Sequence, residues 1–273
     1  MTYNPIQPHH LFSEDYSEKI KCTETVIPEL SDVLICMWES FSVDLTGSVA
    51  DVIVPDGCID LIVNVLDKSI FYSGISMLTD EQTNFNFITT FPEHYFGFRL
   101  KPGAFLALTG MQATVAMDRP TPLEEIDPHF DKARFFEMEI SQMKQFTIDY
   151  LAQLAKNVRK SDYIQLFEHL YLKKFATTEQ LYAHMELSPR QVQRQFKKHY
   201  GLTPQMVISV IKFQHCLKIL LDQPSDRAHL VENYYDQSHF INEFKKNIGL
   251  TPVEFIKLCQ LRKASFLSNT KPI

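Results

Sequence analysis

The C-terminal part of the chain contains an internal repeat. Residues 196–204, FKKHYGLTP, return as residues 244–252, FKKNIGLTP, so that seven of nine positions are identical at a separation of 48 residues. Such agreement at a fixed offset indicates two structural units of the same kind. The last third of the chain is therefore expected to contain the same structural unit twice.

The first copy predicts a helix with clear start and stop signals. Ser188 suits the N-cap, Pro189 suits the first helical position, and Gly201 suits a left-handed C-cap. A preceding helix is predicted over residues 177–185, and only residues 186–188 link the two. Two helices joined by so short a link predict a helix-turn-helix unit.

At about 100° per residue, the predicted helix has one apolar and one polar face. Val192 and Phe196 share the apolar face, with Tyr200 beside them. The opposite face carries Arg190, Gln193, Arg194 and Lys197, and Lys198 follows. Arginine and glutamine suit guanine and adenine edges in the major groove, and lysine suits phosphates. These residue types predict that the polar face binds duplex DNA.

The second copy repeats this pattern. Asp236 is expected to cap a helix over residues 237–248, with Phe240 and Phe244 on its buried side. The corresponding polar positions are Ser238, Asn242, Lys245 and Lys246. The second unit is therefore expected to present a polar surface of the same kind.

A long apolar helix is predicted between the units, over residues 205–221. A helix of about 17 residues spans roughly 25 Å. That length would hold two recognition helices about one DNA turn, ~34 Å, apart on one face of the duplex.

Formal charge is distributed unevenly along the chain. The total of −6 argues by itself against nucleic-acid binding. Residues 1–160 hold 12 Lys and Arg against 23 Asp and Glu, a net charge of −11, whereas residues 161–273 hold 15 against 10, a net charge of +5. The asymmetry predicts that a polyanion binds to the C-terminal part.

The N-terminal part has the pattern of an antiparallel β domain. After a polar stretch, residues 1–30, that is expected to be irregular, short apolar or alternating runs are bounded by turn residues. These runs are residues 33–41, 49–54, 59–65 and 95–100. The pattern becomes helical after Ala104, with amphipathic helices over residues 134–157.

The predicted fold class is therefore α+β. A β-barrel with helices is expected in residues 1–160, followed by an all-α domain with two helix-turn-helix units joined by a long helix in residues 161–273. The boundary is placed in the polar stretch 157–162.

The sequence lacks the signals that mark several other classes of protein. The five cysteines are scattered without a CxxC pair, so neither a disulfide framework nor a zinc–thiolate site is predicted, and a reducing cytosol fits. No signal peptide and no apolar run approaching ~18 residues is evident, so we expect a cytoplasmic protein without a membrane span. Without a metal motif, an activated nucleophile or a phosphate-binding glycine loop, we expect no cofactor, no metal and no catalysis.

The C-terminal motifs resemble the AraC/XylS family of transcription regulators. Residues 187–198, LSPRQVQRQFKK, with residues 201–204, GLTP, are similar to the family's first recognition helix and its end. Residues 234–240, YYDQSHF, with the second FKK and GLTP, are similar to its second-unit signature. The similarity covers about residues 165–262.

This resemblance implies DNA-facing residues and partners. The residues implied to face the major groove are Arg190, Gln193, Arg194, Gln237, Ser238 and Asn242. Phosphate contact is expected from the pairs Lys197–Lys198 and Lys245–Lys246, whereas His239 is expected either to touch the DNA backbone or to pack beside Tyr235. Promoter or operator DNA is the implied partner, and a small-molecule effector, RNA polymerase and a second copy of the chain are further candidates.

A weaker resemblance, to a cupin-like sensor domain, rests on residues 55–62, PDGCIDLI, and 96–104, FGFRLKPGA. It implies a β-barrel for effector sensing or dimerisation. Trp38 for stacking and Arg99 for anions are the candidate ligand contacts, and the favoured alternative for both is a structural role. Asp56 and Asp60 form a candidate carboxylate pair for chemistry, although Pro55-Asp56-Gly57 is more simply a turn.

Three functions stay open on the sequence alone. The leading hypothesis is a DNA-binding regulator with an N-terminal sensor. A sequestering protein with degenerate DNA-binding units is the second, because Asn233 and His229 depart from the small residues common there. Asn242 stands where arginine is common, so the second unit is expected to read bases less stringently. An enzyme on the β-barrel is the third.

Overall fold

The computed structural model describes residues 3–7, 19–43, 46–76, 86–90, 92–156, 158, 162–173, 177–222 and 237–261. The strands are β1 (Ile20–Thr25), β2 (Leu34–Ser42), β3 (Ser48–Val52), β4 (Ile59–Asn64), β5 (Ser69–Gly74), β6 (Asn86–Thr90), β7 (His94–Leu100) and β8 (Thr121–Pro122). The helices are α1 (Ala104–Thr109), α2 (Leu123–Ile126), α3 (Lys132–Phe135), α4 (Ile140–Ala155), α5 (Asp162–Lys173), α6 (Thr178–Met185), α7 (Pro189–Tyr200), α8 (Pro204–Asp222), α9 (Gln237–Ile248) and α10 (Pro252–Leu261). Single-turn 3-10 helices lie at Pro28–Leu30 and Ala113–Val115. The predicted order, strands followed by helices, is confirmed.

The strands form two antiparallel sheets. The larger has the order β1-β2-β7-β4-β5-β8, and β3 pairs with β6 in a separate two-stranded sheet. In the larger sheet β7 lies between β2 and β4, so that residues on three strands distant in sequence become neighbours.

The expected β-rich domain is therefore present, but its described strands do not close into one barrel. At one end of the larger sheet, β8 consists of two residues and pairs only with Phe71 and Tyr72. Pro122 ends this strand and has no backbone N–H to donate to a further strand. The sheet consequently stops there, and within the described residues no strand pairing joins it to the two-stranded β3–β6 sheet.

One face of the larger sheet is packed into the main hydrophobic core. Its members include Leu61, Val63, Phe96, Phe98 and Leu100, each with 0% of its surface exposed. These residues alternate along β4 and β7 because successive side chains of a strand point to opposite faces. Phe105 of α1 and Leu151 of α4 belong to the same core. Burial of each large apolar side chain contributes about 1.5–3 kcal/mol.

The same core continues into the first helix-turn-helix unit. Phe167 of α5, Leu181 of α6 and Val192 of α7 are fully buried members of it. The Tyr200 hydroxyl donates a 2.6 Å hydrogen bond to the carbonyl of Tyr163, which joins α7 to α5. Packing is thus continuous across the predicted boundary near residue 160, and the division into two domains stays a prediction.

A second hydrophobic cluster forms around the C-terminal half of α8. Phe213 and Leu217 of α8 pack with Phe244 of α9 and Phe255 of α10, and all four are fully buried. The long helix therefore carries the first unit near its start and the second unit near its end. This arrangement confirms the predicted helix between the units.

One sequence expectation is wrong. Residues 20–25, placed in an irregular stretch, form β1 and pair with β2 from Ile20 opposite Ser42 to Thr25 opposite Met37. The strand forms because Ile20, Cys22 and Glu24 alternate with exposed positions, a period-two pattern that the stretch's polarity obscures. Among the helices described, none is long and apolar enough to cross a membrane.

Candidate functional site

Helix α7 begins and ends where its sequence signals predict. The Ser188 hydroxyl accepts a hydrogen bond from the Gln191 backbone N–H at 3.4 Å, and the Gln191 side chain accepts from the Ser188 N–H at 3.0 Å. This reciprocal capping box satisfies N–H groups that the first turn leaves free. Gly201 ends the helix with a φ of +71°. Gln191 is not among the residues predicted above, although Ser188-x-x-Gln191 is the usual signal for such a box.

The predicted helix-turn-helix is confirmed in its first unit. Thr177 caps α6 by accepting from the Gln180 N–H at 3.3 Å, and Leu181 anchors the helix in the core. Glu186 turns the chain between the helices with a φ of +52°. The short link therefore sets α7 against α6, so that one face of α7 is buried and the other is free.

The two faces of α7 separate by residue type as predicted. The buried residues are Val192, Phe196 and Tyr200, with at most 1% of their surface exposed. The exposed residues are Arg190, Gln193, Arg194, Lys197 and Lys198. Because the apolar side holds the helix on the core, the polar side is oriented by the fold rather than by contacts of its own. The five predicted DNA contacts of this helix thus lie together on an exposed surface.

Two polar residues at the end of α7 are engaged within the protein. Lys197 donates to the carbonyl of Gly201 at 3.3 Å, a contact that also favours the helix C-terminus. His199 stacks on Tyr163 with ring centroids 3.6 Å apart, and its burial lowers its pKa to about 4. His199 is therefore neutral at pH 7, and the positive charge of the surface comes from its arginines and lysines.

The second unit repeats the buried side of the first. Phe240 and Phe244 of α9 are buried in the second cluster, while Ser238, Asn242 and Lys245 are exposed. Gln237, His239 and Lys246 lie on the same helix, but their side-chain placement falls outside the description. The cap at Asp236 and the departures at Asn233 and His229 lie outside the described residues.

Trp38 and Arg99, the two predicted ligand contacts, meet on the other face of the larger sheet. Trp38 pairs with Gly97 across β2 and β7, and Arg99 pairs with both Cys36 and Asp60. A Cβ at position 97 would lie 2.5 Å from the indole, so the glycine is what allows Trp38 to lie over β7. Cross-strand pairing therefore places these two residues side by side.

Arg99 is buried among three carboxylates. Its Nη1 lies 3.3 Å from Glu24 Oε1, and its Nε lies 3.6 Å from Asp60 Oδ2 and 3.8 Å from Asp56 Oδ2. We call Arg99, Glu24, Asp56 and Asp60 the Arg99 cluster. Its carboxylates already neutralise the guanidinium, which favours the structural role over a free anion-binding arginine. Within the described residues, no group of three or more His, Cys, Asp or Glu side chains is placed to hold a metal ion.

Asp60 connects the cluster to the tryptophan. Its Oδ2 accepts a 2.8 Å hydrogen bond from Trp38 Nε1. Burial raises the pKa of Asp60 to about 6, with Arg99 opposing the rise and Asp56 adding to it. Asp56 instead shapes its turn, because its Oδ1 accepts from the Cys58 N–H at 2.8 Å. The turn predicted at Pro55-Asp56-Gly57 is thus held by the aspartate itself.

The C-terminal units also match a known family. Residues 181–258 match the model of a helix-turn-helix domain, from α6 into α10. The matched domain is a helix-turn-helix domain of the AraC type. The AraC-family resemblance of the sequence is thereby confirmed, and the protein is a DNA-binding transcription regulator. Residues 27–122 match a domain of unknown function, DUF6597, which contains Trp38, Asp60 and Arg99.

Three similar solved structures are all of ToxT from Vibrio cholerae. They are a 1.65 Å structure, an apo form of a single-residue variant from strain SCE256, and a wild-type form bound to an unsaturated fatty acid. Identities are 10%, 8% and 9%, and the matches cover 88% of this chain and 98%, 96% and 94% of those chains. The TM-score is 0.36 in each case. A search of curated proteins found no match.

Proposed function

We propose that this regulator binds a specific operator through α7 and α9, under the control of a small-molecule effector bound by its N-terminal domain. The observation that carries the proposal is the exposed surface of α7, where two arginines and a glutamine lie opposite a fully buried apolar side. A helix held in this way can enter the major groove without rearranging its own core.

The proposed contacts divide by chemistry. Arg190, Gln193 and Arg194 read base edges. An arginine presents two donors to guanine, and a glutamine presents one donor and one acceptor to adenine. Lys197 and Lys198 contact phosphates, which fixes the position of α7 on the duplex. On α9 the proposed contacts are Gln237, Ser238, His239, Asn242, Lys245 and Lys246. With neutral side chains in place of arginines, α9 contributes less to base reading than α7.

A DNA titration tests this proposal. Purified protein is titrated against its own upstream DNA and against a scrambled duplex of equal length at two salt concentrations. We expect a preference of about 10³ or more for the upstream DNA, and weaker binding to both duplexes as salt rises. The titration is repeated with a small-molecule extract that supplies candidate effectors. Equal affinity for both duplexes, or no binding to either, with and without the extract would contradict specific operator binding.

The proposed effector contact is Trp38. It lies half-buried on the sheet face opposite the main core, next to the Arg99 cluster, and it is the only tryptophan of the chain. Its emission therefore reports binding at this face without a label. A metabolite library screened by tryptophan fluorescence should yield a compound that shifts the emission and alters DNA affinity. A compound that alters DNA affinity equally well in Trp38→Phe protein would place the effector elsewhere. RNA polymerase contact and homodimer formation stay predictions.

A further inference from the structure

A glutamine in the middle of α8 contacts the N-terminal end of the chain. Gln214 is 1% exposed, and it follows the fully buried Phe213 on the helix. Its Oε1 accepts from the Ile6 N–H at 2.8 Å, and its Nε2 donates to the carbonyls of Pro55 at 3.2 Å and Ile6 at 3.4 Å. A buried amide is stable only when such hydrogen bonds are made. Gln214 thus binds the backbone of two segments that lie far from it in sequence.

Those two segments are also bonded to each other. The Gln7 side chain donates to the Val54 carbonyl at 2.9 Å and accepts from the Val54 N–H at 3.0 Å, as a neighbouring strand would. The Tyr3 hydroxyl donates to the Asp56 carbonyl at 2.7 Å. We call Gln214 with residues 3–7 and 54–56 the Gln214 contact.

The Gln214 contact also completes the hydrophobic core of the second unit. Val54 is 1% exposed, and it belongs to the cluster formed by Phe213, Leu217 and Phe244 rather than to the main core. Ile6 packs against the same cluster. The N-terminal domain therefore supplies apolar surface that the second helix-turn-helix unit lacks.

The Arg99 cluster shares a residue with this contact. The Asp56 Oδ2 that lies 3.8 Å from Arg99 Nε also accepts a 2.8 Å hydrogen bond from Gln7 Nε2. Movement of Asp56 toward or away from Arg99 must therefore alter a hydrogen bond that holds residues 3–7. The sheet face that carries Trp38 is thereby connected to α8 through consecutive polar contacts.

We propose that the N-terminal domain controls the order of the second helix-turn-helix unit through the Gln214 contact. Loss of the contact exposes part of the second cluster and loosens α9 and α10, while α7 stays packed on the main core. A ligand that displaces Asp56 would then change how the second unit engages DNA. This regulatory consequence rests on the proposed function, whereas the structural dependence does not.

Hydrogen exchange of the full-length protein tests the structural dependence without DNA. Val54→Ala removes two methyl groups from the second cluster, and Val63→Ala is its matched control, because Val63 is equally buried but lies in the main core. We expect amides of α9 and α10 to exchange roughly tenfold faster in Val54→Ala than in the wild type. In Val63→Ala those amides should keep the wild-type rate. Equal effects of the two variants, or none of Val54→Ala on α9, would overturn the proposal.

A milder variant covers the case in which Val54→Ala does not fold. Gln7→Ala removes hydrogen bonds to Val54 and Asp56 without changing any residue of the C-terminal part. It should accelerate exchange in α9 and α10 in the same direction, and unchanged exchange there would contradict the proposal.

DNA binding then tests the regulatory consequence separately. In a Gln7→Ala background, Asn242→Ala should lose most of its effect on operator affinity, whereas Arg194→Ala should keep its effect. If both substitutions keep their full effect on operator affinity in the Gln7→Ala background, the Gln214 contact does not control the second unit. Absence of operator binding in the wild type would instead contradict the proposed function and leave the exchange result intact.

Discussion

The indole N–H of Trp38 donates a 2.8 Å hydrogen bond to Oδ2 of Asp60, the same oxygen that lies 3.6 Å from Nε of Arg99. One oxygen of Asp60 thus contacts both the indole of Trp38 and the buried guanidinium of Arg99. Because the pKa of Asp60 is raised to about 6, mainly by burial, this oxygen changes its charge in a pH range accessible to experiment.

Trp38 emission should titrate with Asp60. Protonation of the carboxylate weakens its acceptance of the indole N–H, so we expect the emission of the single tryptophan to change with a midpoint near pH 6. The measurement is a fluorescence titration from about pH 4.5 to about pH 8, a range that extends to both sides of the expected midpoint. Asp60→Asn should abolish the transition, and a transition that persists unchanged in this variant would assign it to a histidine.

The free energy of unfolding should also depend on the protonation of Asp60, and it should fall as pH rises. A carboxyl whose pKa is higher in the folded state than its ordinary 3.8 stabilises the fold fully below that value, and this contribution is lost as pH rises through 6. Relative to Asp60→Asn, the wild type should therefore lose up to about 3 kcal/mol of unfolding free energy between pH 4 and pH 7. Urea denaturation of both proteins across this range measures the difference. Parallel pH curves for the two proteins would contradict the shifted pKa.

Arg99 should be required for folding rather than for DNA binding. Arg99→Met leaves three carboxylates without their buried cation, and removal of one partner from a buried ion pair costs about 3–5 kcal/mol. Thermal unfolding should show a strongly lowered midpoint for Arg99→Met. Arg99→Lys, which keeps the charge, should lose less, and equal losses would show that guanidinium geometry matters more than charge.

Arg194→Ala should relax specificity at one base pair. Arg194 is exposed on the surface of α7, and a base-reading arginine contributes about 1–3 kcal/mol of discrimination. Affinities for operator variants with single base changes measure the effect, with one position becoming tolerant. A uniform loss across all variants would show that Arg194 contacts the DNA backbone instead.

Lys197→Ala should weaken binding to all duplexes about equally and reduce the slope of log affinity against log salt by about one. Its hydrogen bond to the Gly201 carbonyl predicts an additional small loss of stability, so unfolding is measured alongside. Lys198→Ala is the matched control, because Lys198 is also exposed on α7, whereas the hydrogen bond to the Gly201 carbonyl is donated by Lys197. If the salt slope is unchanged in both variants, neither lysine contacts a phosphate.

Much of the C-terminal part could be predicted because its signals are local. The caps at Ser188 and Gly201 act within one or two turns of the helix they bound, and the apolar spacing of Val192 and Phe196 fixes which side of α7 is buried. Repetition at an offset of 48 extended the same reasoning to Phe240 and Phe244.

Local patterns in the sequence were therefore enough to predict the two helix-turn-helix units, their polar surfaces and the β-rich character of the N-terminal part. The folded structure was needed to show that Trp38 and Asp60 touch, because strand order and register, not spacing along the chain, bring β2, β7 and β4 together. It alone also placed Val54 in the core of the second unit and Gln214 against Ile6, a contact between residues 208 positions apart. Periodicity shows which side of an element is buried, but not which distant segment covers it.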